Sequence, residues 1–204
     1  MKNALKLFAH VVALVLISPL LLVYVVGSRL LGKDRALEGM SQTVSLFPGL
    51  TGNYLRRAFL SAVLARCHRS AEICFGTLFA QTATIIDENV YIGPRCHIGW
   101  AHLKRDVLVA AGVHIPSGAQ THFYDDPTKP IREQGGARTM VTIGEGAWIG
   151  SAAVVMADVG KGSIIAAGSV VTKPIPDYVI AGGVPAKVIR GRFDKTGEPP
   201  SGQK

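Results

Sequence analysis

The sequence predicts an all-β domain, a parallel β-helix, behind an apolar helix long enough to cross a membrane. Three observations predict it. Aliphatic residues recur every six positions through the second half of the chain. Glycine is abundant, at 23 of 204 residues, while aromatics make up only 7%. Leu7 to Val26 is a 20-residue stretch broken only by His10 and Ser18.

The chain is long enough for one domain with a sizeable core plus an extension. The apolar stretch comes first, spanning about 30 Å as a helix, the thickness of the hydrocarbon core. As a cleaved leader it has an unusually long apolar core and no A-x-A site. Lys2 and Lys6 precede it; Arg29, Lys33, Arg35, Arg56, Arg57, Arg66 and Arg69 follow. The positive-inside rule then puts the rest of the chain on the cytoplasmic side of the membrane. Residues 1–32 are the expected transmembrane anchor.

Residues 33–79 read as an amphipathic helical linker. Phe47-Pro48-Gly49 and Thr51-Gly52-Asn53 are turn signals. Asn53 is placed to cap a helix from Tyr54 to about Cys67, with Leu55, Phe59 and Val63 on one face. Arg56, Arg57, Arg66 and Arg69 fall on its other side, as in a helix that rests on acidic headgroups. An ordinary helix packed on the main domain fits the same pattern.

From residue 80 to 191 the period is six. Hexads begin at Ile86, Ile92, Ile98, Leu103, Val109, Ile115, Ile143, Ile149, Val155, Val159, Ile165 and Val171. Gly or Ala follows the lead residue in seven of the twelve, and Ala, Ser, Cys or Val fills most fifth places. Such a repeat is a short strand plus a turn, stable only when stacked on its neighbours. The register slips between Ile98 and Leu103 and between Val155 and Val159, and His102 stands where a small residue is expected. The one long interruption, His122 to Met140, is polar and rich in Pro and Gly. A long loop on a rigid scaffold is where function usually sits. Residues 192–204, rich in Gly, Pro and charge, read as a disordered tail.

Charge and cysteine narrow the partners. The formal charge of +8 favours anionic ones: acidic lipid or a phosphorylated cofactor. Nucleic acid is disfavoured, since the basic residues are scattered without interleaved aromatics. Cys67, Cys74 and Cys96 form no C-x-x-C pair and read as free thiols in a reducing compartment, with no cysteine-built metal site.

Four strings carry a resemblance. They are Gly112-Val113-His114-Ile115 leading to Thr121-His122, Val141 through Gly150, Ala167-Gly168-Ser169-Val170-Val171-Thr172-Lys173, and Gly183 through Arg190. Residues 73–191 resemble the hexapeptide-repeat acyltransferases, nearest the maltose, galactoside and exopolysaccharide O-acetyltransferases. The resemblance implies a left-handed β-helix with three hexads per coil, a homotrimer with sites in its clefts, and acetyl-CoA as acyl donor without a metal. It implies His122 as catalytic base and Trp148 as an aromatic wall near the acceptor or the pantetheine arm. It implies Ser151, Ala167, Thr172, Lys173, Lys187 and Arg190 along the coenzyme A groove. The family's acceptor-orienting asparagine has no clear counterpart, and His97 is the nearest candidate. The apolar extension departs from the maltose enzymes and points to a lipid-linked or nucleotide sugar in surface-polysaccharide synthesis.

The chemistry fits those residues. Acyl transfer from a thioester to a hydroxyl needs a base, a stabilised oxyanion and aligned substrates. Neutral imidazole titrates near working pH and suits the first task. No G-x-S-x-G elbow is present, so direct attack is the simpler course. Asp125 and Asp126 are placed to orient His122 or an acceptor, or to form a solvated Asp-Asp-Pro turn. Two rivals remain: a γ-type carbonic anhydrase using His97, His102 and His114 around zinc, and a non-catalytic β-helix scaffold at the membrane.

Overall fold

The computed structural model describes residues 2–194, with side chains described from Phe8 onward. Three helices come first: α1 (Lys2–Leu31), α2 (Lys33–Ser45) and α3 (Gly49–Val63). Short strands then wind three to a coil. The first coil holds β1 (Arg66–Cys67), β2 (Glu72–Ile73) and β3 (Leu78–Phe79). The second holds β4 (Ile85–Ile86), β5 (Tyr91–Ile92) and β6 (His97–Ile98). The third holds β7 (Ala101–Leu103), β8 (Leu108–Val109) and β9 (His114–Ile115). After the long loop, the fourth holds β10 (Val141–Ile143), β11 (Trp148–Ile149) and β12 (Val154–Val155). The fifth has β13 (Ile164–Ile165) and β14 (Val170–Val171), with Val159 bridging as its third side. The last enters at Ile175 and runs into β15 (Val179–Gly183), which turns back as β16 (Ala186–Gly191).

Parallel pairing stacks these into three walls: sheet A (β1, β4, β7, β10), sheet B (β2, β5, β8, β11, β13, β15) and sheet C (β3, β6, β9, β12, β14). The result is a left-handed parallel β-helix of about 6 turns. All twelve hexad leads point into its core, none more than 2% exposed. Strand alternation then sends the residue before each lead outward. Inward polar residues are satisfied: Thr77 and Thr84 donate to the Gly93 and Gly99 carbonyls, each at 2.7 Å.

The register slips share one corner. Strand partners repeat at 19 residues (Cys67 to Ile86), 17 (Ile86 to Leu103) and 16 (Ile143 to Val159). The hexad steps within sheets A to C stay at six, so every irregularity falls where the chain passes from sheet C to the next sheet A strand. The long loop leaves from that same corner, between Ile115 and Val141.

Helices α2 and α3 close the N-terminal end. An open coil leaves strand N–H and C=O groups unpaired, so an end needs covering. Asn53 Oδ1 accepts from Ile73 N–H at 3.1 Å, and Ser41 Oγ from Phe79 N–H at 3.0 Å. Asp34 Oδ1 accepts from Thr82 N–H at 2.8 Å. Arg56 is 1% exposed; it donates to Ile73 O at 2.8 Å and to Phe47 O at 2.5 Å. At the far end β16 folds back antiparallel on β15.

Several expectations change. The β-helix begins at Arg66 rather than at 80. Its first coil is led by Cys67, Ile73 and Phe79, and Phe79 to Ile86 is a seven-residue step. The segment before it is two helices, and α3 starts at Gly49 with Pro48 at its N-cap. Asn53 sits within α3 and caps a strand instead. Arg56 is buried under the first coil, and Arg57 donates to Ala71 O at 3.3 Å and stacks 4.5 Å over Tyr54. The basic headgroup-facing side of α3 is therefore lost. The expected tail at 192–204 starts tied down, with Arg192 donating to Gly162 O at 2.7 Å and the Phe193 ring 5.9 Å from Tyr178. From residue 195 on, that expectation lies outside the described residues.

Candidate active site

The loop after β9 has a hydrogen-bonded stem. Thr139 N–H donates to Ser117 O at 2.9 Å, Ala137 N–H to Gln120 O at 2.8 Å, and Phe123 N–H to Gly135 O at 3.0 Å. Two arms thus run side by side away from the wall. Glycine lets them touch. A Cβ on Gly136 would lie 2.0 Å from Thr121 O, and one on Gly118, whose φ is +86°, would lie 2.0 Å from Thr139 Oγ1. The tip closes with Asp126, which accepts from Thr128 N–H at 2.9 Å and lies 3.3 Å from the Lys129 ammonium. Hydrogen bonds from Thr128 hold its carboxyl below the usual range. Gln134 ties the tip back, donating to Asp126 O at 2.8 Å.

His122 stands on the outgoing arm between the Gln120 and Phe123 clamps. Its side chain is exposed, and its ring has no hydrogen-bond partner among the described residues. Its backbone is fixed while both ring nitrogens stay available. Asp125 beside it is exposed and likewise unengaged among the described residues, so it stays free to meet an acceptor. Asp126 takes the turn role.

The other histidines do not converge on a metal. His97 and His114 stack on the outer face of sheet C with centroids 6.1 Å apart. Burial, then the neighbouring His114 charge, hold the His97 imidazole below its usual value. His102 is on sheet A, where its Nε2 meets Asp87 Oδ2 at 2.9 Å. Among the described residues of one copy no three His, Cys, Asp or Glu side chains form a metal-holding group, and His102 lies on a different sheet from the His97–His114 pair. The three cysteines are unpaired, and burial raises the Cys67 thiol to about 12.

The candidate groove residues fall on two edges of sheet C. Ser151 and Ala167 lie at successive turns from sheet B to sheet C, where Gly168 N–H donates to Ser151 O at 2.8 Å. Lys187, on β16, pairs with Gly182 near the same edge. Thr172 and Lys173 follow β14 at the other edge, the corner from which the loop leaves. Trp148 is outward on sheet B between Leu108 and Ile164, 49% exposed. Arg190 differs from expectation: its guanidinium donates to Asp194 O at 2.7 Å and Gly191 O at 3.1 Å, folding onto the C-terminal turn.

Sequence reasoning missed the stem residues. The Gly135-Gly136 pair and Thr121 stand out in the sequence, but the close approach of Gly136 to the Thr121 carbonyl does not. Arg138, on the returning arm, was also missed. It borders a cavity of ≈ 400 Å³ with Leu31, Gly32, Lys33, Arg35 and Glu38.

Residues 140–173 match the model of the hexapeptide repeat of succinyl-transferase. A putative acetyltransferase of Saccharomyces cerevisiae is 52% identical over 114 residues, covering 52% of this chain and 58% of that protein. A putative lipopolysaccharide biosynthesis O-acetyl transferase of Escherichia coli, WbbJ, is 30% identical over 122 residues, covering 55% and 62%. The chain thus spans less than two thirds of these relatives. A galactoside acetyltransferase solved with coenzyme A has the same fold, with TM-score 0.56 and 21% identity over 79% of this chain and 82% of that one. The chain is a left-handed β-helix protein built of hexapeptide repeats. Its sequence relatives carry acetyltransferase names.

Proposed function

We propose that the protein is an O-acyltransferase that moves an acetyl group from acetyl-CoA to a sugar hydroxyl, with His122 as general base. The observation that carries this reading is the stem-clamped imidazole, unpartnered among the described residues, at the head of the one long loop they contain. The relatives' names and the coenzyme A bound by a neighbour of the same fold support the donor. Neutral His122 takes the acceptor proton as the hydroxyl oxygen attacks the thioester carbonyl. The tetrahedral intermediate collapses, the carbon–sulfur bond breaks, and the thiol leaves with the proton from the imidazolium. In this reading Asp125 and His97 hydrogen-bond the acceptor and Trp148 walls it.

Ser151, Ala167 and Lys187 sit at one edge of sheet C, while His122, Thr172 and Lys173 sit at the other. One copy therefore carries half a site on each edge, and a homotrimer joins unlike edges in each cleft. Lys173 and Lys187 meet the cofactor phosphates as point charges. The apolar α1, with Arg29 in its last turn and Lys33 and Arg35 after it, holds the enzyme at the cytoplasmic membrane facing the cytoplasm. This location favours a lipid-linked sugar of surface-polysaccharide synthesis as acceptor.

The test is direct. Purified full-length protein is mixed with acetyl-CoA and a panel of soluble and lipid-linked sugars, and acetylated products are sought by mass spectrometry. An acetylated sugar with matching release of coenzyme A is expected. Absence of both across the panel would contradict the reading and favour an idle scaffold.

A further inference from the structure

The sequence reads α1 as a span, yet one side of it is already occupied. Ala13, Ile17 and Tyr24 are buried, while His10, Leu14, Leu20, Leu21, Gly27 and Ser28 are half-buried. These positions recur every three or four residues, one stripe on one face. From His10 to Ser28 the stripe runs about 27 Å at the helical rise. Its partners are α3 and α2. The Tyr24 ring meets Phe59 edge-on at 5.9 Å, and Gly27 packs against Ala36.

A helix crossing the bilayer is wrapped by lipid or by other apolar spans over about 30 Å. Here nearly that whole length lies along α2 and α3. Those helices carry Asn53, Arg56 and Arg57 and are bonded to the first coil. A perpendicular α1 would drag them, with exposed Arg69 and Glu72, into hydrocarbon that charged groups avoid.

The opposite face of α1 is apolar and open. Val12, Val15, Leu16, Leu22, Val23 and Leu30 are all exposed. Ser18 adds no free polar group, because its hydroxyl donates to Val15 O at 2.8 Å. Exposed Arg29, Lys33 and Arg35 gather at the C-terminal end, complementary to acidic headgroups.

We propose that α1 lies in the plane of one membrane leaflet and does not cross it. Its open face enters the acyl chains, and α2 and α3 stay on the headgroup side. The N-terminus then remains on the same side as the β-helix. The Gly32 corner, and with it the cavity bordered by Arg138 of the loop stem, sits at headgroup level. This inference rests on the membrane association proposed above, not on the acyl transfer.

Full-length protein with one epitope tag before Met1 and another after Lys204 tests it. Protease is added to intact spheroplasts and to inside-out vesicles. Both tags should be protected in spheroplasts and both cleaved in inside-out vesicles. Cleavage of the N-terminal tag alone in spheroplasts means a span and overturns the proposal. A Val12→Lys/Val23→Lys variant supplies a second reading. Its binding to phosphatidylcholine–phosphatidylglycerol vesicles should fall at least about tenfold, with sugar acetylation kept within about twofold. Unchanged vesicle binding by this variant contradicts the proposal. So does wild-type protein that forms a soluble oligomer and ignores vesicles, because a second copy then covers α1. Failure of acetylation by wild-type protein would sink the proposed chemistry and leave the topology result standing.

Discussion

Phe123 N–H donates to Gly135 O at 3.0 Å, one residue beyond His122. With the Ala137–Gln120 bond on the other side, this contact makes the backbone of His122 part of a two-armed stem rather than of a free loop. A base must stand within hydrogen-bond reach of the proton it removes, and small displacements are costly.

The stem can be disturbed without touching the base. A methyl group at Gly136 collides with the Thr121 carbonyl. Gly136→Ala should lower kcat on the order of 10²-fold by misplacing His122, while the melting temperature hardly moves. Full kcat in that variant would show that the stem does not position the histidine.

The N-terminal cap makes a stability prediction. Asn53→Ala strands the Ile73 N–H, and Arg56→Met strands the Ile73 and Phe47 carbonyls. Each should cost about 1–3 kcal/mol of unfolding free energy, measured by urea denaturation. Unchanged midpoints would mean that solvent reaches the coil edge.

The contrast between Arg56 and the hexad leads explains what was legible. An inward β-helix position demands a compact apolar residue, so Ile86 through Val171 announced the wall by themselves. The first coil hid because Cys67 and Phe79 are atypical leads and the step to Ile86 is seven. Arg56 was misread because a helical face records polarity, not what covers it. Its charge is satisfied by carbonyls from the α2–α3 turn and from β2, segments 9 and 17 residues away. The loop that carries His122 was legible through its punctuation. The division of Ser151 and Thr172 between two edges was not, because sequence spacing does not say which corner a turn occupies. Arg190 matched its motif but spends its guanidinium on the C-terminal turn.

That difference separates two cations. Lys187→Glu should raise the Michaelis constant for acetyl-CoA about tenfold or more through loss of a charge-assisted contact, and the effect should shrink at high salt. Arg190→Glu should chiefly loosen the 191–194 turn and lower stability. A larger cofactor effect from Arg190 than from Lys187 would reverse the assignment.

Asp87 links fold and pH. Burial alone would push its carboxyl up, but hydrogen bonds from His102 and Arg66 outweigh it and hold the carboxyl below its usual value. The unfolded chain then binds this proton more readily than the folded one. The stabilisation is complete above the ordinary carboxylate value of about 3.9 and is lost as pH falls through the folded value. Stability followed from neutral pH to below 4 should decline less steeply in Asp87→Asn. Parallel curves would remove this pair from the acid response.

The central claim is that His122 takes the acceptor proton, and kcat of His122→Ala tests it most directly. Turnover should fall on the order of 10²–10⁴-fold, with acetyl-CoA affinity and assembly unchanged, because the base acts chiefly in the transition state. His102→Ala should stay active, since its ring serves Asp87, and His97→Ala and His114→Ala complete the comparison. Near-normal turnover by His122→Ala, with His97→Ala or His114→Ala inactive, would place the base on the outer face of sheet C and contradict the account.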